Sequence, residues 1–79
     1  MAYYASGSIS AFNKMRKIVG NCFSDPTRRP FVSLTKRCGV VRITIYSENT
    51  KTENLITIDD VEKLNRMYEQ LYRMAFVRR

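Results

Sequence analysis

Residues 40–46 read Val-Val-Arg-Ile-Thr-Ile-Tyr, an alternation that places Val41, Ile43 and Ile45 on one side and Val40, Arg42, Thr44 and Tyr46 on the other. A two-residue period rich in β-branched side chains predicts a strand with one buried face. Gly39 precedes it, and Cys38-Gly39 suits a turn back to a second strand over Phe31-Val32-Ser33-Leu34-Thr35. In that strand Val32 and Leu34 share the apolar face, opposite Phe31, Ser33, Thr35 and, on continuation, Arg37. The polar run 47–54 is expected to be a loop, followed by a short third strand, Leu55-Ile56-Thr57-Ile58.

Helical spacing flanks this region on both sides. Val61, Leu64, Tyr68, Leu71 and Ala75 form one stripe, and Leu64, Met67, Leu71 and Met74 form a second that overlaps it. Asp59 or Thr57 can cap this helix, and Asp60 and Glu62 favour its first turn. One stripe suffices to cover a small sheet. The second calls for a further partner, either an N-terminal helix or the same helix of a second subunit. Upstream, Ile9, Phe12, Met15, Ile18, Val19 and Cys22 recur at helical spacing after a possible cap at Ser8 or Ser10, ending near Gly20. Asp25-Pro26 marks a turn. The expected fold is α+β: a small antiparallel three- to four-stranded sheet backed by a C-terminal helix and preceded by a short N-terminal amphipathic helix. Residues 1–28 hold the tail and the basic helix, and residues 29–79 a β-β-β-α domain.

The chain has 79 residues. A single core of that size seldom supplies more than about 3–5 kcal/mol, so small chains tend to add a disulfide, a metal or a partner. Cys22 and Cys38 do not form a disulfide framework, and their spacing matches no zinc pattern in a chain without histidine. Two free buried thiols in a reducing compartment are expected, with one disulfide as the alternative. No metal and no cofactor is expected, which leaves a homodimer as the expected supplement. No apolar run approaches a membrane span, and the N-terminus lacks the pattern of a signal peptide, so a cytoplasmic or nuclear protein is expected.

The formal charge is +7, and all of the excess lies in the first 46 residues, where eight basic side chains meet Asp25 alone. Residues 47–79 balance six against six. That asymmetry is the electrostatic footprint of a polyanion binder; a solvated basic surface kept for solubility is the alternative. The sheet face away from the C-terminal helix would carry Phe31, Ser33, Thr35, Arg37, Arg42, Thr44 and Tyr46. Rings stack on bases, guanidinium groups neutralise phosphates and hydroxyls donate to phosphate oxygens, a mixture suited to single strands. An ordinary solvated sheet face has a similar composition. Catalysis is not expected: histidine is absent, no glycine-rich phosphate loop exists, and neither cysteine has an activating base in the sequence.

Arg29-Pro30-Phe31-Val32-Ser33-Leu34, then Gly39 through Tyr46, a polar loop, and Leu55-Ile56-Thr57-Ile58 leading into a helix together resemble the transcriptional positive cofactor four family over about residues 29–75. The loop at 47–54 is shorter than is usual there, and no tryptophan follows the second strand. The resemblance implies a dimer joined through the C-terminal helices, at Leu64, Met67, Leu71 and Met74, with a strand cradle for single-stranded DNA. It puts Arg29, Phe31, Ser33, Lys36, Arg37, Arg42 and Tyr46 on the binding side; Thr44 and the helix lysines Lys14 and Lys17 complete the expected contacts. The expected function is sequence-tolerant single-stranded DNA binding in transcription, replication or genome protection. Two alternatives are a small inhibitor of the viral or mobile-element type, blocking a macromolecular partner through its basic surface, and a duplex binder using the basic N-terminal helix.

Overall fold

The alternating segment becomes the middle strand of a three-stranded antiparallel sheet. In chain order the elements of the computed structural model, which describes residues 7–77, are α1 (Gly7–Cys22), β1 (Phe31–Arg37), β2 (Val40–Tyr46), β3 (Lys51–Thr57) and α2 (Val61–Phe76). The strands lie in sequence order, with Phe31 opposite Tyr46 and Arg37 opposite Val40 across the first pair. The expected tail over residues 1–7 falls, but for Gly7, outside the described residues, as do Arg78 and Arg79.

Val32, Val41, Ile43, Ile45 and Ile56 are all buried on one sheet face, with Leu34 and Ile58 packed at its margin. Both helices cover that face. Ala11, Phe12, Met15, Ile18 and Val19 of α1 and Leu64, Met67 and Leu71 of α2 share one core with the sheet. Three strands separate the helices, so chain direction reverses an even number of times between β1 and β3 and the helices run parallel. Gly7 packs beside Val61 at one end, where an added methyl would sit 3.7 Å from a Val61 methyl. Lys14 lies over Tyr68 at mid-length, and Cys22 shares a groove with Phe76 at the other end.

Several sequence expectations are corrected. Leu64 and Leu71 are 0% exposed and Met67 is 7% exposed within one chain, with Met74 half-buried, so the second stripe of α2 is covered by α1 and is not a free subunit contact. Ile9 and Cys22 point to solvent, while Ala11 and Phe23 take core places that the spacing did not assign. The first helix begins at Gly7, so Ser8 and Ser10 fall inside it, and it runs on through Gly20 to Cys22. Asp60, not Asp59 or Thr57, caps α2: its carboxylate accepts from the Lys63 backbone N–H at 3.2 Å. Both thiols are free but exposed rather than buried.

The largest correction is β3, which starts at Lys51 and leaves only residues 47–50 as the loop, closed by the Ser47 N–H donating to Thr50 O at 2.8 Å. Thr52 and Asn54 lie opposite Ile45 and Ile43 on the core side, yet Thr52 is exposed and Asn54 half-buried. The helices do not reach over that end of the edge strand. Its backbone pairs with β2 while its side chains need no apolar character.

Two connections hold the layers in place. The turn after α1 is fixed by Asp25, whose carboxylate accepts from Thr27 Oγ1 at 2.7 Å and from the Thr27 N–H at 3.0 Å. The Thr27 hydroxyl first, then its backbone N–H and the nearby Arg28, hold that carboxyl below its usual range. The Val32 N–H then donates to Phe23 O at 3.1 Å, tying β1 to the end of α1. The β1–β2 hairpin turns on two residues, Cys38 at φ 54° and Gly39 at φ 75°. Two positive φ angles in succession suit the twist of a two-residue hairpin, but only glycine adopts them without cost.

Leu71→Ala should cost about 2–5 kcal/mol in urea unfolding, by the same amount at every protein concentration, whereas Ile9→Ala should cost less than about 0.5 kcal/mol. Concentration dependence would restore the subunit-contact reading of α2. Cys38→Asn should raise stability by about 0.5–1 kcal/mol, because asparagine tolerates the left-handed region better than cysteine.

Candidate nucleic-acid interface

With both helices on one side, no other element of the described residues covers the opposite sheet face. The registers arrange it in four cross-strand rows: Phe31, Tyr46 and Lys51; Ser33, Thr44 and Glu53; Thr35, Arg42 and Leu55; Arg37, Val40 and Thr57. At two residues per row the four rows span about 20 Å along the strands.

The first row is an aromatic platform. Phe31 and Tyr46 are half-buried, their ring centroids 5.5 Å apart and the planes inclined by 32°, within the range of favourable offset pairs. Lys51 Nζ stands over the Tyr46 ring, 5.6 Å from its centroid, so a cation is part of the platform. The third and fourth rows are cationic and aliphatic. Arg37 and Arg42 are diagonal neighbours on this face, beside Val40 and a Leu55 that is 62% exposed.

Arg42 is not a free cation. Its Nε lies 2.9 Å from Glu53 Oε2, with both side chains about half exposed. Glu53 therefore occupies the middle of the face and competes with any incoming anion for Arg42. An exposed pair of this kind is worth about 0–1 kcal/mol, little enough for a phosphate to displace.

The sequence-predicted contacts divide. Phe31, Ser33, Arg37, Arg42, Thr44 and Tyr46 share the open face, as alternation requires. Thr44 is only 6% exposed, because it sits mid-sheet between Ser33 and Glu53; it supports the surface rather than contacting a ligand. Lys36 belongs to the other face. It shares a side with Val32 and Leu34, and its ammonium lies 5.4 Å from the Phe12 ring centroid of α1. Arg29 folds back into its own turn, donating from Nη1 to Pro26 O at 2.6 Å and to Arg28 O at 3.2 Å. Lys14 and Lys17 line the outside of the helical layer, on the far side of the molecule from the platform. Lys51, Glu53 and Leu55 were missed as parts of the face. Once Ile56 is set inward, alternation would have placed all three outward had the strand been extended back through the polar run.

No three His, Cys, Asp or Glu side chains converge among the described residues, and no helix there is long and apolar enough to cross a membrane.

Glu53→Gln should release Arg42 and delay elution from a heparin column relative to Glu48→Gln, which makes the same charge change in the β2–β3 loop. Folding stability should shift by less than about 1 kcal/mol. Equal elution of the two variants would mean that Glu53 does not restrain Arg42. Comparisons with protein-family models, with curated proteins and with solved structures found no match to this chain.

Proposed function

We propose that this chain binds single-stranded nucleic acid, DNA in preference, across its open sheet face, and serves transcription, replication or genome protection. The observation that carries the reading is the row Phe31–Tyr46–Lys51, which sets a paired ring surface beside a cation on the same bare face as Arg37 and Arg42. Bases would lie on the Phe31 and Tyr46 rings, each stacked base contributing about 1–3 kcal/mol. Phosphates would run past Lys51, Arg42 and Arg37, whose spacing across the sheet suits a segment on the order of 4 nucleotides. Val40 and Leu55 offer apolar area to sugars and base edges. A duplex hides its base faces, so the platform favours unpaired strands. The net charge of +7 supports attraction of a polyanion from a distance.

The exposed Leu55 beside Val40 supports a second reading, in which the same face blocks a protein partner. Titration of labelled single-stranded and double-stranded oligonucleotides over a range of salt separates the two. The first reading expects single-strand preference with a log–log salt slope of about −2 for three phosphate contacts. Arg42→Ala should flatten that slope by about 0.7. Phe31→Ala and Tyr46→Ala should each weaken binding by at least about fivefold without changing the slope. Duplex preference, or no binding to either form at low salt, would overturn the nucleic-acid reading.

A further inference from the structure

The outside of the helical layer carries a second surface that the open sheet face does not explain. Tyr68, Tyr72 and Phe76 recur every fourth residue along α2 and form a continuous ladder, with ring centroids 6.1 Å and 4.9 Å apart. Tyr68 is half-buried, but Tyr72 is 45% and Phe76 60% exposed, and Val77 continues the apolar area at 65%. Because α1 and α2 run parallel, this ladder flanks a groove whose other wall is α1, with Lys14, Lys17 and Ile18 lining it opposite Tyr68 and Phe76.

The electrostatics of the groove are one-sided. The 16 residues of α1 include Lys14, Arg16 and Lys17 and no acidic residue. On α2 the acids are already engaged: Glu62 Oε2 accepts from Arg66 at 3.0 Å, and Glu69 lies 3.5 Å from Arg73. Lys14 and Lys17 thus face the groove without a carboxylate partner in any ion pair of the described residues. The matching ligand carries negative charge on one flank and apolar side chains on the other.

Ring geometry decides between nucleic acid and peptide. Successive rings of the ladder are inclined by 51° and 54°, more steeply than the 32° of the Phe31–Tyr46 pair, and the Lys14 ammonium stands over Tyr68, 4.9 Å from its centroid. Stacked bases need rings that lie close to one plane, and the Phe31–Tyr46 pair comes nearer to that than the ladder does. Tilted rings with gaps between them instead receive branched and aromatic side chains arriving at helical spacing.

We propose that the α1–α2 groove docks an acidic amphipathic helix of a protein partner, with its apolar stripe against Phe76 in the groove and Tyr72 on its α2 rim and its carboxylates on Lys14 and Lys17. The groove lies on the opposite side of the molecule from the Phe31–Tyr46 platform, so the two surfaces can be occupied together. The docking does not rest on the nucleic-acid reading of the sheet.

The test uses the full chain and a fluorescein-labelled synthetic helix of about 20 residues, with leucines at positions i, i+3, i+4 and i+7 and glutamates alongside. Anisotropy should report saturable binding that weakens with salt, and amide shifts in 15N-labelled protein should cluster along Lys14–Cys22 and Tyr68–Phe76. Phe76→Ala and Lys17→Glu should each weaken binding by about tenfold. Both side chains are exposed, so unchanged thermal unfolding is expected and confirms that folding is intact. Phe31→Ala should leave peptide binding unchanged. A scrambled peptide of the same composition that binds equally well, shifts that fall on the open sheet face, or no binding at millimolar peptide would each overturn the proposal. So would a single-stranded oligonucleotide that moves the Tyr68–Phe76 amides while the peptide does not.

Discussion

Met15, Val41, Ile43, Leu64 and Leu71 lose all contact with water, and they come from both helices and the central strand. Each element alone is too short to bury its apolar side, so neither helix nor sheet is stable without the other two. Because both helices are drawn to the one face that displays Val32, Val41, Ile43, Ile45 and Ile56, the reverse face of a three-stranded sheet is covered by neither of them. The bare face follows from the arithmetic of the core, before any function is considered.

That asymmetry explains what could be read from the chain and what could not. Alternation in β1 and β2 located Phe31, Arg37, Arg42 and Tyr46 on one face correctly, because a strand with one buried side constrains every second residue. The same rule should have removed Lys36, which stands an odd number of residues from Phe31; family resemblance placed it on the binding side instead. The polar half of β3 was invisible because an edge strand beyond the reach of the helices has no apolar alternation to show. The position of α1 was also hidden. Its stripe predicted a buried helix, but nothing local distinguishes packing on α2 of the same chain from packing on another molecule. Once α1 is placed, the second stripe of α2 is satisfied, and the residues left for outside contacts are Tyr72 and Phe76 rather than Leu64, Met67 and Leu71.

The two exposed surfaces differ in kind although both combine rings with cations. On the sheet the rings are held in register by backbone pairing, and the charges sit on separate strands at fixed spacing. On the helices the rings belong to a single element at intervals of one turn and are inclined to one another by 51° and 54°. Rings nearer to one plane suit planar ligands, and steeply tilted rings along a helix suit side chains. The basic half of the sequence therefore does not make one basic surface. The fold divides it, with Arg37 and Arg42 on the sheet side, Lys14 and Lys17 on the helix side, and Arg29 turned into its own loop.

The parallel course of the helices also separates the thiols. Cys22 lies where α1 and α2 end together, and Cys38 sits in the hairpin tip, whose Gly39 carbonyl accepts from Ile58 just ahead of the start of α2. A helix of 16 residues is about 24 Å long, whereas a disulfide needs Cα atoms within about 7 Å. A disulfide therefore cannot staple this chain internally. Any disulfide made by either exposed thiol has to run to another molecule, from one pole of the fold or the other.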